Sequence, residues 1–121
     1  MRAVLRNYRQ SPRKVRLVAD LVRGKRVDRA ILTLDYLTKR AAEPVRSLIE
    51  AAVANAKHNF KTSPDRLFVK DIRVDEGVTL KRHMPRARGV PHLIRKRASH
   101  ITVFLGEKTS QASADARTIK T

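Results

Sequence analysis

The sequence predicts an α+β domain carrying a long basic β-hairpin. Three observations point there. Ala41, Val45, Leu48, Ile49, Ala52, Val53 and Ala56 recur at the spacing of one helix face, the strongest periodic signal in the chain. Leu67–Asp75 and Ser99–Leu105 are rich in β-branched and aromatic residues and read as strands. Between Glu76 and Glu107 no acidic side chain occurs, while Lys81, Arg82, Arg86, Arg88, Arg95, Lys96 and Arg97 do.

Taken in order, residues 2–9 (RAVLRNYR) are short and partly apolar and read as a first strand. Ser11-Pro12 then opens a helix: serine suits the cap, and proline at the first helical position loses no needed hydrogen bond. Val15, Val18, Leu21 and Val22 give its apolar stripe, and Gly24 ends it. Val27-Asp28 restarts a helix, with Asp28 as cap and Ala30, Ile31, Leu34 and Leu37 buried. Thr38 is a cap for the third helix, which runs to about Asn59. Pro44 makes its first turn irregular or delays its regular start. Ser63-Pro64-Asp65 is turn chemistry before the second strand.

The simplest path between the last two strands is a hairpin turning around Arg88–Pro91. An arm of about 12 residues at about 3.3 Å each reaches roughly 40 Å, farther than the radius of so small a domain. The division expected is one domain over residues 1–106, its extended hairpin spanning about 77–106, and a flexible polar tail over 107–121.

The charge balance speaks about partners. The chain of 121 residues holds 28 Lys and Arg against 11 Asp and Glu, a net charge of +17. Solubility does not require so much. Neutralising phosphates and releasing their counterions does use it, so nucleic acid leads. An anionic membrane surface is the second reading, but it wants a basic helix with Trp, Phe or Leu opposite, and Trp is absent. Cysteine is absent too, which removes disulfides, thiolate zinc sites and cysteine nucleophiles. No apolar run reaches the roughly 18 residues of a membrane span, and the N-terminus has no apolar signal core. A soluble intracellular protein is expected.

Catalysis finds little in the residues. No histidine pair has helical metal-ligand spacing, and no glycine-rich phosphate loop occurs. Asp71, Asp75 and Glu76 cluster as a metal-dependent nuclease would want, although acids at a strand end beside cations are ordinary. Ser99 and His100 suggest nucleophile and base, but adjacent strand residues face opposite ways. No catalytic residue, metal or cofactor is assigned.

Binding has more support. Arg13, Lys14 and Arg16 crowd the first turn of a helix, where cations oppose the macrodipole, so a phosphate role for them is favoured over a solvated face. Tyr8, Tyr36, Phe60, Phe68 and Phe104 show no paired stacking motif. A structural RNA-binding protein and a DNA-bending architectural protein, with Pro91 as its wedge, both fit a basic reaching arm.

SPRKVRLVADLVRGK (11–25), AAEPV (41–45), ANAKHN (54–59), VDEG (74–77), LKRHMPRARG (80–89) and IRKRASHITV (94–103) together resemble the large-subunit ribosomal protein twenty-two family, bacterial or organellar branch, from about Arg6 to Leu105. The resemblance implies a small three-stranded antiparallel sheet packed on three helices, with a protruding hairpin. It implies a structural constituent of the large ribosomal subunit with no catalysis. Such a protein binds 23S-type ribosomal RNA, aids assembly and lays its hairpin along the nascent-peptide exit tunnel. Carried over to this chain, the RNA-binding set is Arg9, Ser11, Arg13, Lys14, Arg16, Lys25, Lys81, Arg82, Pro85, Arg86, Arg88, Arg95, Lys96, Arg97, Ser99 and His100. The tunnel tip is Arg88, Gly89, Val90, Pro91 and His92. Implied partners are that RNA, neighbouring large-subunit proteins, the nascent peptide and nearby macrolides. No membrane and no homo-oligomer are implied, and the place is the cytoplasmic or an organellar ribosome. Val78 departs from a common proline, Ala98 from a common threonine, and the tip 89–93 is more apolar than usual.

Overall fold

In a computed structural model, described for residues 1–108, the chain runs β1 (Arg2–Tyr8), α1 (Pro12–Val22), α2 (Val27–Tyr36), α3 (Ala42–Asn59), β2 (Leu67–Glu76), β3 (Leu80–Pro85), β4 (Pro91–Lys96) and β5 (Ser99–Glu107). This is the α+β architecture expected. The antiparallel sheet has the order β1-β5-β2, and β3 and β4 form a separate two-stranded hairpin. Helices cover one face of the sheet, α1 against β2 and α3 against β1 and β5. Alternation sends Val69, Ile72 and Val74 of β2 and Ile101, Val103 and Leu105 of β5 into that core. From the other side come Val15, Val18 and Val22 of α1 and Val45, Ile49, Ala52 and Ala56 of α3.

Helix boundaries correct several local expectations. Ser11 takes the cap position of α1, but its side chain makes no capping hydrogen bond; only its carbonyl accepts from Lys14 and Val15. The stripe of α1 runs through Ala19, and Leu21 faces outward with 45% exposure. Asp28 lies in the first turn of α2, behind the cap residue Arg26. Thr38 caps nothing: a turn over Lys39–Ala42 intervenes, and α3 begins at Ala42 with Pro44 in its first turn, where a missing N–H costs no bond. Gly24 ends α1 as read, with φ +83 and its N–H donated to Val69.

The sheet edges are fastened by side chains. On the free edge of β2, Arg16 donates to the Val74 carbonyl at 3.1 and 3.3 Å, and Arg23 donates to Ile72 at 2.7 Å. On β1, Asn55 of α3 donates to the Arg2 carbonyl. Occupied edge carbonyls blunt a strand as a template for another chain. Arg46 of α3 bridges to Asp35 of α2 and to Glu50; the Glu50 hydrogen bond, then the Asp35 charge, hold its pKa above the ordinary value.

The hairpin leaves this body through Gly77, whose N–H reaches the Ala98 carbonyl at 2.8 Å. Its paired length is six residues a side, roughly 20 Å, shorter than the roughly 40 Å arm read from the sequence. The turn is earlier than expected: Arg86 donates to Val90 around Ala87–Gly89, with Arg88 at φ 60 and Gly89 at φ 70. Pro91 and His92 therefore lie in β4, opposite Pro85 and Met84. At the other end Glu107 closes β5, and the Lys108 N–H donates to Arg66. The rest of the expected tail lies outside the described residues.

Every residue of β3 and β4 is exposed. Lys81 stands directly opposite Arg95, a like-charged pair that destabilises an isolated hairpin. In the free protein, amide exchange at Arg88 is expected to be far faster than at Ile49, since few apolar contacts offset the entropy of ordering the tip. Equal protection at both amides, measured by hydrogen–deuterium exchange, would contradict that.

Candidate nucleic-acid interface

Two segments far apart in sequence meet at the root of the hairpin. The chain leaving β1 supplies Arg9, Gln10 and Ser11, and the first turn of α1 supplies Lys14. The end of β4 supplies Arg95 and Lys96, the residue after it is Arg97, and Arg40 arrives from the turn before α3. Together they line an open cleft of about 600 Å³ with six cations and no acid. Beside it Arg13, Arg16 and Arg97 flank Glu76 in a smaller depression. What holds the cleft together is Ser99. It is fully buried, and its hydroxyl donates to the Gln10 carbonyl at 2.6 Å, tying the start of β5 to the link between β1 and α1.

Ion pairing divides the arginines. Arg23, Arg26, Arg46, Arg66 and Arg73 form the salt bridges among the described residues. None of them belongs to the set expected to bind RNA. The cations of the cleft and of the hairpin form none of these pairs, so their charge is available to an outside anion. Arginine forks suit phosphate, in two-point hydrogen bonds that a small-molecule pocket of apolar walls does not offer.

The geometry brings Arg9, Ser11, Lys14, Arg95, Lys96 and Arg97 together, with Arg13 beside them. Lys81, Arg82, Pro85, Arg86 and Arg88 extend outward along the exposed hairpin. The other four stand elsewhere. Ser99 is buried, and its hydroxyl donates to the Gln10 carbonyl. Arg16 has two of its N–H groups on the Val74 carbonyl, so it fastens α1 to β2. Lys25 is not in the cleft; it lines a separate basic depression with Arg26, Arg29 and Lys108. His100 lies on the face of the sheet away from the helices, with Nδ1 accepting the Asn7 N–H. Arg40 was missed by the sequence reading; its signal was Lys39-Arg40 standing free of acids between Asp35 and Glu43.

Ser99→Ala is expected to cost about 1–3 kcal/mol of folding stability by leaving the partly buried Gln10 carbonyl without its partner. It leaves the salt dependence of RNA binding unchanged, because no phosphate contact is lost; chemical unfolding and a binding series on one preparation separate the two effects.

The acids proposed for a nuclease do not converge. Asp71 and Asp75 point to the open sheet face, while Glu76 stands opposite the buried Ser99 on the other side. Asp71 is paired with Arg23 and Arg73. Among the described residues no group of His, Asp or Glu is arranged to hold a metal ion, and no helix is long and apolar enough to cross a membrane.

Residues 3–106 match the family described as ribosomal protein L22p/L17e. The chain is 56% identical over 106 residues to the large ribosomal subunit protein uL22 of Herpetosiphon aurantiacus, covering 88% of this chain and 94% of that one. It is 54% identical over 107 residues to the Thermus thermophilus protein of the same name, covering 88% and 95%. For the Deinococcus radiodurans protein the figures are 52% over 106 residues, 88% and 79%. A matching family over nearly the whole chain, an α+β fold and a cationic cleft agree: the chain belongs to the ribosomal protein L22p/L17e family, structural and non-enzymatic constituents of the large ribosomal subunit.

Proposed function

We propose that the chain binds large-subunit ribosomal RNA through the cleft at the root of its hairpin and helps that RNA assemble. The observation that carries this is the meeting of Arg9, Lys14, Arg40, Arg95, Lys96 and Arg97 around a space without acids. Each strand of the hairpin continues the cationic surface outward, and a polyanion on both sides of it relieves the Lys81–Arg95 repulsion. The exposed tip, Arg88 to His92, is the part suited to lie along the nascent-peptide exit tunnel, where nascent chains and macrolides pass. That placement rests on family membership and on the reach and exposure of the hairpin. Large-subunit RNA and neighbouring ribosomal proteins are the partners; the cytoplasmic ribosome is the place.

The DNA-bending alternative is less favoured. Pro91 is paired with Pro85 in the hairpin ladder and does not stand at the apex, where Arg88 and Gly89 sit. Filter binding at matched salt tests the choice. Folded 23S-type RNA fragments are expected to bind more tightly than duplex DNA of equal phosphate count, and equal affinities would overturn the ribosomal reading. Retention on large subunits through a high-salt wash is the second expected result.

A further inference from the structure

The face of the sheet that the helices leave bare carries an unassigned arrangement. Phe104 and Thr102 of β5 lie at its centre, opposite Arg2 and Val4 of β1 and next to Arg73 of β2. The Arg73 guanidinium sits 5.2 Å from the centre of the Phe104 ring, and its Nε is held by Asp71 at 3.3 Å. The result is a cation already placed over the ring and tethered by a carboxylate. With Arg6 and His100 it borders a depression of about 610 Å³. His100 accepts the Asn7 N–H on Nδ1, so Nε2 is the nitrogen left to donate. A second ring, Phe68, lies over Gly106 further along the same face; a Cβ on Gly106 would stand 2.8 Å from it.

We propose that this open face binds an unpaired stretch of ribosomal RNA, one base stacking on the Arg73–Phe104 pair while Arg2 and Arg6 meet the flanking phosphates. The idea rests on the RNA-binding reading above but uses a surface that shares no residue with the cleft. Charge selects the occupant. Arg2, Arg6 and Arg73 outnumber the one carboxylate lining the depression, Asp75. Single-stranded RNA combines the two things offered here, a π-face for a guanidinium or phenyl ring and a phosphate beside each base. Duplex RNA keeps its bases stacked inside and makes no use of the ring.

The test separates bases from phosphates. Oligo(rA) of about eight nucleotides is compared with an abasic ribose-phosphate oligomer of the same length, by fluorescence anisotropy on the whole chain. Wild type is expected to prefer the oligomer with bases by about tenfold. Phe104→Leu, which keeps an apolar strand residue, and Arg73→Ala, at an exposed position, each bring that ratio close to one. The triple change Arg95→Ala, Lys96→Ala and Arg97→Ala weakens both oligomers and leaves the ratio intact. A ratio near one in wild type, or one unchanged in both sheet variants, overturns the proposal while cleft binding stands. A wild-type chain that binds neither oligomer overturns the proposal too, while the cleft reading is judged separately by folded 23S-type RNA fragments. In assembled subunits, crosslinks from Val4→p-benzoylphenylalanine are expected on RNA; crosslinks to another protein or to a second copy overturn the proposal.

Discussion

Replacing Arg95, Lys96 and Arg97 together by alanine is expected to flatten the salt dependence of RNA binding by roughly three in the log–log slope. These residues form one wall of the cleft, and none of them forms a salt bridge among the described residues. Their charges are therefore expected to meet phosphates. Three phosphate contacts at a slope of about 0.9 each correspond to about 40-fold in affinity between roughly 50 and 200 mM salt. Wild type should lose that much more than the triple variant over the range. Arg88→Ala changes the slope by one at most, because it removes a single cation at the exposed apex of the hairpin. A filter-binding series on both variants at four or more salt concentrations decides between them. Equal slopes for the triple variant and Arg88→Ala would show that the root of the hairpin has no special place in the footprint.

How much of this was legible in the sequence depended on whether the signal was local. The stripe Val45–Leu48–Ile49–Ala52–Ala56 is a property of one helix, and all five residues are buried on the face it marks. The strands Leu67–Glu76 and Ser99–Glu107 announced themselves by composition, and their ends moved by one or two residues. Thr38 failed as a cap because cap signals are short: the turn over Lys39–Ala42 consumed the room it needed. Ser99 is a different case. The alternation Ile101, Val103, Leu105 already placed Ser99 on the buried face, whereas its place in the RNA-binding set came from the family resemblance alone. The acid-free Lys39-Arg40 pair stood in the sequence, but its meeting with Arg95, Lys96 and Arg97 was out of reach, as was the Arg73–Phe104 pair. Each depends on long-range placement, the second also on a register that shifts at a bulge between Val69 and Asp71. No sequence spacing encodes that.

Ile49→Ala is expected to have the largest effect on stability. Ile49 is fully buried at the middle of α3, the helix that packs on both β1 and β5. Removing its outer carbons leaves a cavity in a small core and costs about 2–5 kcal/mol. Against a total of about 5–15 kcal/mol that is a large share, and the unfolding midpoint should drop by about 10–30 °C. Leu93→Ala, on the exposed hairpin, should stay within about 0.5 kcal/mol of wild type. The contrast separates body from arm, and it also says how the cleft is built. Its walls are the segments leaving β1 and entering β5, which α3 holds in register from behind. Ile49→Ala should therefore keep near wild-type RNA affinity in the cold, where the body is still folded, and lose it as the body melts. Circular dichroism melting run beside a binding assay at two temperatures would show whether the two losses coincide; RNA affinity already gone while the helices remain intact would mean that α3 shapes the cleft more directly than through folding.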